Sequence, residues 1–559
     1  MDFNDDHCFQ DEALPKIYYS EDDPSIANRP KIKKPPKKVM EPLFYQALTK
    51  RKNQEQEMKA VLRDIVTYLI YLAIIVTIAY GQRDQNLFLQ KQALETALIF
   101  GGVTCEIVPD DDPRYRECTD EEMPEKHVNF MNIRDMNEYW KWINDTVIQN
   151  VRVQPWYNGK PPYGLRGYLD DRVNRIIGWA IIRQTREKMA SCKPAIEVRD
   201  TIEECTGEQG KSFEEEGDFC PGWIPAGVNA TNCSREEFEN NIYHDEYRYT
   251  SASEIKALGL QARIRGYGGG GYVLKLKGYI DDLHGKIRHL QDIQWADNHT
   301  RSLMVEFSVY NAQVNIFAIV TCVAEFVGGG IWPYYKIETF RLFSNPGIMA
   351  YILDFASVLF VASTFYYIGN LLAILKRDGF QEFIGNKWNL ADCVTILMSI
   401  VAIGLWALKT YTVLEMNNEI GKTRGNQYIR LTVPALINDM YENVMAFTVF
   451  FSTIKFSKQI SFHKAFMQIS ATIRLCFIGL STFVVEFAIV FCAFSGFFFF
   501  VLKNDLENFR DFSRTLQNTL AMSIGKFNFG ALRTADEMAA WIFFVFSSKF
   551  VTFNKTEMT

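Results

Sequence analysis

Leu475 to Leu502 reads LCFIGLSTFVVEFAIVFCAFSGFFFFVL, with Glu486 as its one charged side chain. A helix of about 20 apolar residues crosses the roughly 30 Å of bilayer hydrocarbon, so this run is long enough to span a membrane. Four more runs of the same kind lie upstream. Ile65 to Gln82 carries no charge, nor does Phe355 to Leu375, and Asp392 opens a third that continues to Leu408. Asn443 to Ile454 is shorter and is stopped by Lys455. Ala539 to Phe546 crosses only if the chain continues past Lys549. The pattern predicts five spans and an incomplete sixth.

The 559 residues are 48% apolar, 14% aromatic and 23% charged, with a net charge of −6. Apolar and charged residues are segregated along the chain, which excludes a disordered protein, a collagen-like repeat and a basic nucleic-acid binder. The first residues carry an acidic run from Asp2 to Asp6 and no apolar core of a secretory signal. Ten Lys and Arg residues then lie between Arg29 and Lys59, directly before the first span. By the positive-inside rule this flank is cytoplasmic; a nuclear-localisation or lipid-headgroup patch is the alternative use of the same charges.

About 265 residues separate the first two spans, far more than a connecting loop needs, so they form a domain. That domain carries sequons at Asn144, Asn229, Asn232 and Asn298 and six of the eleven cysteines, between Cys105 and Cys233. One crossing from a cytoplasmic amino terminus places it in the lumen or outside the cell, where glycans and disulfides both form. Tyr272 to Leu276 alternates as a strand does, and an α+β domain is expected.

Few motifs suggest chemistry. Gly268 to Gly271 precedes a strand-like segment and lacks the following Lys-Ser/Thr of a phosphate cradle, so it reads as a turn or a close backbone contact. The acidic run Asp110 to Asp112 lacks the spaced ligands of a calcium loop. The His, Cys and Ser patterns supply no metal site or nucleophile, so no enzyme, cofactor or bound metal is expected. Ionisable groups at membrane depth are costly and usually functional. Lys455 and Lys458 share one helical face at the end of the fourth run, either snorkelling to the interface or meeting a partner, for which Asp392 is the candidate. Glu486, mid-run, should face protein or water. Phe509 to Phe529 reads as a short amphipathic helix ending in a Gly-containing turn, either a re-entrant pore helix with its filter or a connecting loop.

These residues carry a resemblance. Trp295 to Phe317, which includes EFSVYNAQVNIF from Glu306, is similar to the Phe-Ser-Val-Tyr-Asn-Ala block of polycystin-2-like proteins in the transient receptor potential superfamily. Tyr267 to Tyr272 looks like that family's Tyr-x-Gly-Gly-Gly-Tyr, Val61-Leu-Arg-Asp like the opening of its first span, and Trp388-Asn-Leu-Ala-Asp like the start of its third. The resemblance implies a mainly α, six-span voltage-gated-like bundle with an extracellular α+β polycystin domain between spans one and two. The corresponding boundaries are residues 1–59 for the basic, Pro-rich segment, 60–82 for the first span and 83–345 for the polycystin domain. Residues 346–460 then hold spans two to four, and 461–559 the pore. It implies a tetrameric or heterotetrameric cation channel with calcium as a permeant or regulatory ion. Self, other polycystin subunits or a polycystin-1-like protein are the implied partners, and a plasma, ciliary or endoplasmic reticulum membrane the location. It further implies a disulfide between Cys192 and Cys205 and a voltage-sensor role for Lys455, Lys458 and Asp392.

Three departures qualify it. The family's filter reads Leu-Gly-Asp, and the matching residues are Ile524, Gly525 and Lys526, so the charge is reversed. The family's acid at the end of span two falls at Asn370, so a counter-charge for the span-four lysines, or part of a cation site, is missing. The family's last span and cytoplasmic tail are replaced by Ser547 to Lys555 and an end at Thr559, so the lower gate is expected to be missing, as in a truncated product. A poorly conducting regulatory subunit and a membrane-anchored receptor are therefore the alternatives to a conducting subunit.

Overall fold

The computed structural model describes residues 41–81, 83–100, 129–153, 167–188, 195–201, 214–220, 222–225, 244–255, 257–343, 347–424, 427–429, 431–460, 464–524, 526, 529–538, 540–542 and 544–545. Its first helix, α1 (Glu41–Gly81), runs through the boundary at Ile70 that divides the chain into two compact units. In the first unit the Thr67 hydroxyl donates to the carbonyl of Asp64, which also faces Arg63. The remainder, from Tyr71, contains a β-rich domain and a set of long helices.

The domain is built on seven strands, β1 (Asn174–Ile176), β2 (Ala180–Arg186), β5 (Tyr249–Thr250), β8 (Gly271–Leu276), β9 (Thr300–Asn311), β10 (Ile316–Val327) and β11 (Gly330–Phe340). They form an antiparallel sheet in the order β11-β10-β9-β2-β8-β5, with β1 also paired to β9. Two small hairpins stand beside it, β3 (Phe219–Cys220) with β4 (Ile224–Pro225), and β6 (Leu260–Gln261) with β7 (Gly266–Tyr267). Side chains alternate between sheet faces, yet β9 and β10 are buried almost throughout, so both faces are covered. Leu303, Val305, Phe307 and Val309 pack with Ala318, Val320 and Cys322 against three helices. These are α2 (Gln85–Leu98), α3 (Met136–Trp142) and α4 (Ile280–Asp292). The last contributes Leu283, Ile287 and Leu290, spaced by four and three as one helical face requires. Burial pushes the Cys322 thiol upward, so it stays neutral and serves as packing.

The opposite face holds Met304 and Val323 under the β6–β7 hairpin and Phe317 and Ile319 under the facing ends of two long helices. At the sheet centre, fully buried Arg183 meets Glu306 at 2.7 Å and donates to the carbonyls of Gly268 at 2.8 Å and Gly270 at 3.0 Å. The glycine run is thus a close backbone contact. At Gly271, where φ is +146°, a Cβ would collide with the Gln184 carbonyl.

Long helices follow: α5 (Ile348–Asp378), α6 (Lys387–Thr423), α7 (Thr432–Ile460), α8 (Lys464–Leu502) and α9 (Phe512–Ser523). Among the described residues four helical stretches are long and apolar enough to cross a membrane, Val61–Leu98, Ile348–Asp378, Trp388–Thr423 and Leu475–Leu502. The count is therefore four where the sequence predicts five. Asn443 to Ile454 lies within α7, where Asp439, Glu442 and Lys455 bracket that uncharged core, so the helix is not apolar enough over a full crossing length. The incomplete sixth run, 539–546, lies partly outside the described residues. Phe355, Val358, Phe365 and Leu397 are exposed on the bundle surface, as lipid-facing side chains would be.

At 37 residues α6 is about 55 Å long, more than the ~30 Å of hydrocarbon. Its last turns leave the bundle and dock on the sheet, Met416 packing with Ile177, Phe317 and Phe340. The turn between β1 and β2 approaches the chain between α6 and α7 so closely that a Cβ on Gly178 would lie 2.6 Å from the Tyr428 backbone.

Replacing Arg183 by Met leaves the Glu306 carboxylate buried without its guanidinium. Thermal unfolding of the purified chain should then report a loss of about 3 kcal/mol, and unchanged unfolding would show the pair to be dispensable.

Candidate functional site

Helix α7 presents Tyr441, Met445, Thr448 and Ser452 to the bundle interior, all buried. The spacing of four, three and four makes them one face, and Lys455 continues it by three. Helix α6 presents Thr395, Ser399 and Ala402 toward the same interior, also buried, with Asp392 one turn before. Where the two polar faces meet, Lys455 Nζ lies 2.5 Å from Asp392 Oδ1, with side chains 12% and 16% exposed. The ring of Tyr367 on α5 sits 5.3 Å from the same ammonium, within reach of a cation–π contact. Tyr71 of α1 stands edge-on to Tyr367 at 4.9 Å, and its hydroxyl is 2.9 Å from that of Ser399.

All four helices therefore contribute to one polar seam. Asp392 supplies the counter-charge whose loss the sequence suggests at Asn370, and Asn370 itself is exposed. The Lys458 side chain lies outside the described residues. Nearer the β domain, Lys409 lies 5.5 Å from the ring of Tyr441, and Glu442 accepts from Asn438 at 2.8 Å and faces Arg83 at 3.7 Å.

The second arrangement follows α8. The chain turns through Glu507–Phe509 into α9, a 12-residue helix with buried Thr515, Thr519 and Met522. Met522 packs with Phe498, Leu502 and Phe509, which fixes α9 against the end of α8. The Thr515 hydroxyl donates to the carbonyls of Phe509 and Asp511 and secures the entry turn. At the far end the Ile524 amide donates to Leu520 and the Lys526 amide to Ala521, closing the helix. Ile524 is 78% exposed and Lys526 is exposed too, while Gly525 lies outside the described residues. The helix C-terminus carries carbonyls with partial negative charge, and Lys526 stands beside them. Glu486 is exposed on α8.

Of the remaining sequence-derived sites, Asn298 is exposed in the turn before β9, whereas Asn144 is half-buried with its Oδ1 3.2 Å from His284 Nδ1. Asn229, Asn232, Cys192 and Cys205 lie outside the described residues; Cys220 is disulfide-bonded. Sequence reasoning missed Tyr71, Tyr367 and Ser399. Their signal was hydroxyls recurring at helical spacing inside apolar runs, which by itself also suits a surface position.

Comparison with known proteins gives a consistent result. Residues 129–343 match the family model described as Polycystin domain, and residues 348–554 match that of the Polycystin cation channel. The chain is 26% identical over 504 residues to Polycystin-2-like protein 1 of Homo sapiens, covering 88% of this chain and 57% of that one. It is 24% identical to Polycystin-2 of Danio rerio, covering 88% and 50%. It is 25% identical to Location of vulva defective 1 of Caenorhabditis elegans, covering 88% and 15%. The chain thus spans about half the length, or less, of these curated relatives.

Replacing Asp392 by Ala strands Lys455 in the seam. The purified chain should lose on the order of 3 kcal/mol of stability, and exchanging the two charges, Asp392→Lys with Lys455→Asp, should return part of it. An exchanged pair no better than the single variant would place the stability elsewhere.

Proposed function

Because the chain belongs to the polycystin family, a family of cation channels and not enzymes, we propose that it is a subunit of a polycystin-type cation channel. It acts in a tetramer of itself or with other polycystin subunits, a polycystin-1-like protein among the candidates. The amino terminus is cytoplasmic, the bundle crosses six times, and the β-rich domain faces the lumen or the outside. The membrane is plasma or ciliary, or alternatively that of the endoplasmic reticulum. The observation that supports this most is the α8–α9 unit, in which a short helix packed on a long apolar one offers its C-terminal end and the exposed residues Ile524 and Lys526. Four such ends around an axis, with Gly525 between those residues, form the filter of the proposed pore.

Lys455, Lys458 and Asp392 form a voltage-sensor-like element in this reading. Each charge carried through the full field is worth about 2.3 kcal/mol per 100 mV, so a shift of Lys455 from Asp392 to another acceptor would couple the bundle to membrane potential. Glu486 is exposed, with no ion-pair partner among the described residues, and is assigned to a subunit contact or a water-filled path.

A second reading, favoured by Lys526, is a poorly conducting regulatory subunit. At an effective dielectric near 20, a cation ~7 Å from one ammonium is repelled by roughly 2 kcal/mol, so four copies oppose it by about 8–10 kcal/mol. One copy among acidic-filter partners opposes it far less, and calcium permeation then falls to those partners. The third reading, a receptor anchored by its bundle, rests on the sequons of the domain.

Patch-clamp recording of the chain alone and with a polycystin-2 subunit separates the three. Current from the chain alone supports a conducting homomer, current only in company a regulatory subunit, and none in either an anchor. Lys526→Asp should raise cation current from the homomer by at least about tenfold; an unchanged current would remove Lys526 from the conduction path. For the domain's orientation, Asn298→Gln should abolish one endoglycosidase-sensitive mobility shift, and a chain with no such shift at any site would contradict a lumenal domain.

A further inference from the structure

The β6–β7 hairpin ends on Arg263, whose partners lie nearly half the chain away. Its Nε donates to Glu507 Oε1 at 3.2 Å and its Nη2 forms an ion pair with the same oxygen. Its guanidinium also lies 5.5 Å from the ring of Trp332, and its carbonyl accepts from Arg510 Nη2 at 3.3 Å. We propose that Arg263 is a positioning residue for α9, holding the turn that enters this helix at a place fixed by the β-rich domain. The proposal rests on the channel reading for its consequence, since α9 is there the helix that carries the filter.

Both ends of the contact are stiff. On the domain side, fully buried Glu325 of β10 accepts the backbone amides of Ile264 and Arg265, each at 3.0 Å, which locks the hairpin tip. Ala262 and Tyr267 pack beneath it on Met304 and Val323. On the pore side, Glu507 begins the turn whose Phe509 is buried against Phe498 and Met522, and Thr515 of α9 donates to the Phe509 carbonyl. A displacement at Glu507 is therefore carried to the start of α9 through packed groups.

The charges around the contact set its sign. Arg263, Arg510 and Arg514 all face Glu507, and the Arg263 hydrogen bond, with the charges of all three, holds its carboxyl below the ordinary range. The contact is thus intact at neutral pH and weakens only when acid protonates Glu507. Reversing Glu507 would leave several positive charges facing each other. The Arg263 and Glu507 side chains are 26% and 50% exposed, so water screens the pair and its effect is graded, of the order of threefold and not all-or-none.

The test compares Arg263→Glu, Glu507→Arg and the double reversal in the full chain. One readout is cation current. The other is the rate at which a water-soluble thiol reagent modifies Lys526→Cys on the purified protein, followed by mass spectrometry against the chain without that cysteine. Each single reversal should change both readouts about threefold, and the double reversal should restore them. Single reversals without effect, or a double variant as altered as the two combined, would overturn the assignment. Labelling that shifts and is rescued while no variant conducts, alone or with a polycystin-2 subunit, would overturn the channel reading and leave Arg263 its positioning role. Current indifferent to every reversal would do the opposite.

Discussion

Lys455 brings a full charge into a bundle whose outer surface is Phe, Leu, Ile and Val, and Asp392 meets it at 2.5 Å. In such surroundings an unpaired ammonium is among the costliest groups a protein can hold. The pairing therefore constrains more than two residues. It fixes the rotation of α6 and α7 about their axes, because the faces bearing Asp392 and Lys455 must point at each other. Thr395, Ser399, Thr448 and Ser452 follow those faces inward, and Tyr367 and Tyr71 close the seam from the other two helices. The apolar residues then have no place left but the outside, where a membrane would cover them.

The same rule organises the β-rich domain by different means. Arg183 lies at the centre of a sheet covered on both faces, and Glu306 and two glycine carbonyls receive its terminal nitrogens there. Because those carbonyls belong to the segment leading into β8, the charge also ties that segment to β2 and β9. Glu325 repeats the device on the next strand, where a buried carboxylate takes two backbone amides and makes a hairpin rigid. From this frame the domain grips the bundle at two places. It holds the α6–α7 end through Gly178 and the cluster around Met416 and Phe317, and the entry of α9 through Arg263.

Much of this was legible in the sequence, for identifiable reasons. Apolar runs too long for a soluble core announce membrane helices wherever they occur, so Leu475 to Leu502 needs no partner to be read. The partnership of Lys455 with Asp392 was accessible because Asp392 opens the run directly before it, where an acid can meet the end of the next helix. The close backbone role of Gly268 to Gly271 followed from glycine alone. Counting was harder. The run from Asn443 reads as a span by its uncharged core, whereas α7 carries charges at both ends of that core, and only its packing against α6 shows where Lys455 goes. Asn370 suggested a missing counter-charge, and the acid was supplied by another helix.

The sequence by itself determined which segments are apolar, where charges interrupt them, that a large domain separates the first two runs, and that Lys526 stands where the resemblance expects an acid. These are properties of composition and short-range order, which survive in any conformation. The tertiary structure alone decided which polar groups meet. Tyr71 and Ser399 are 328 positions apart, and Arg263 and Glu507 are 244 apart; no periodicity connects them. Their pairing is fixed by which helix and sheet faces must be buried together, and that choice is made by the whole chain at once.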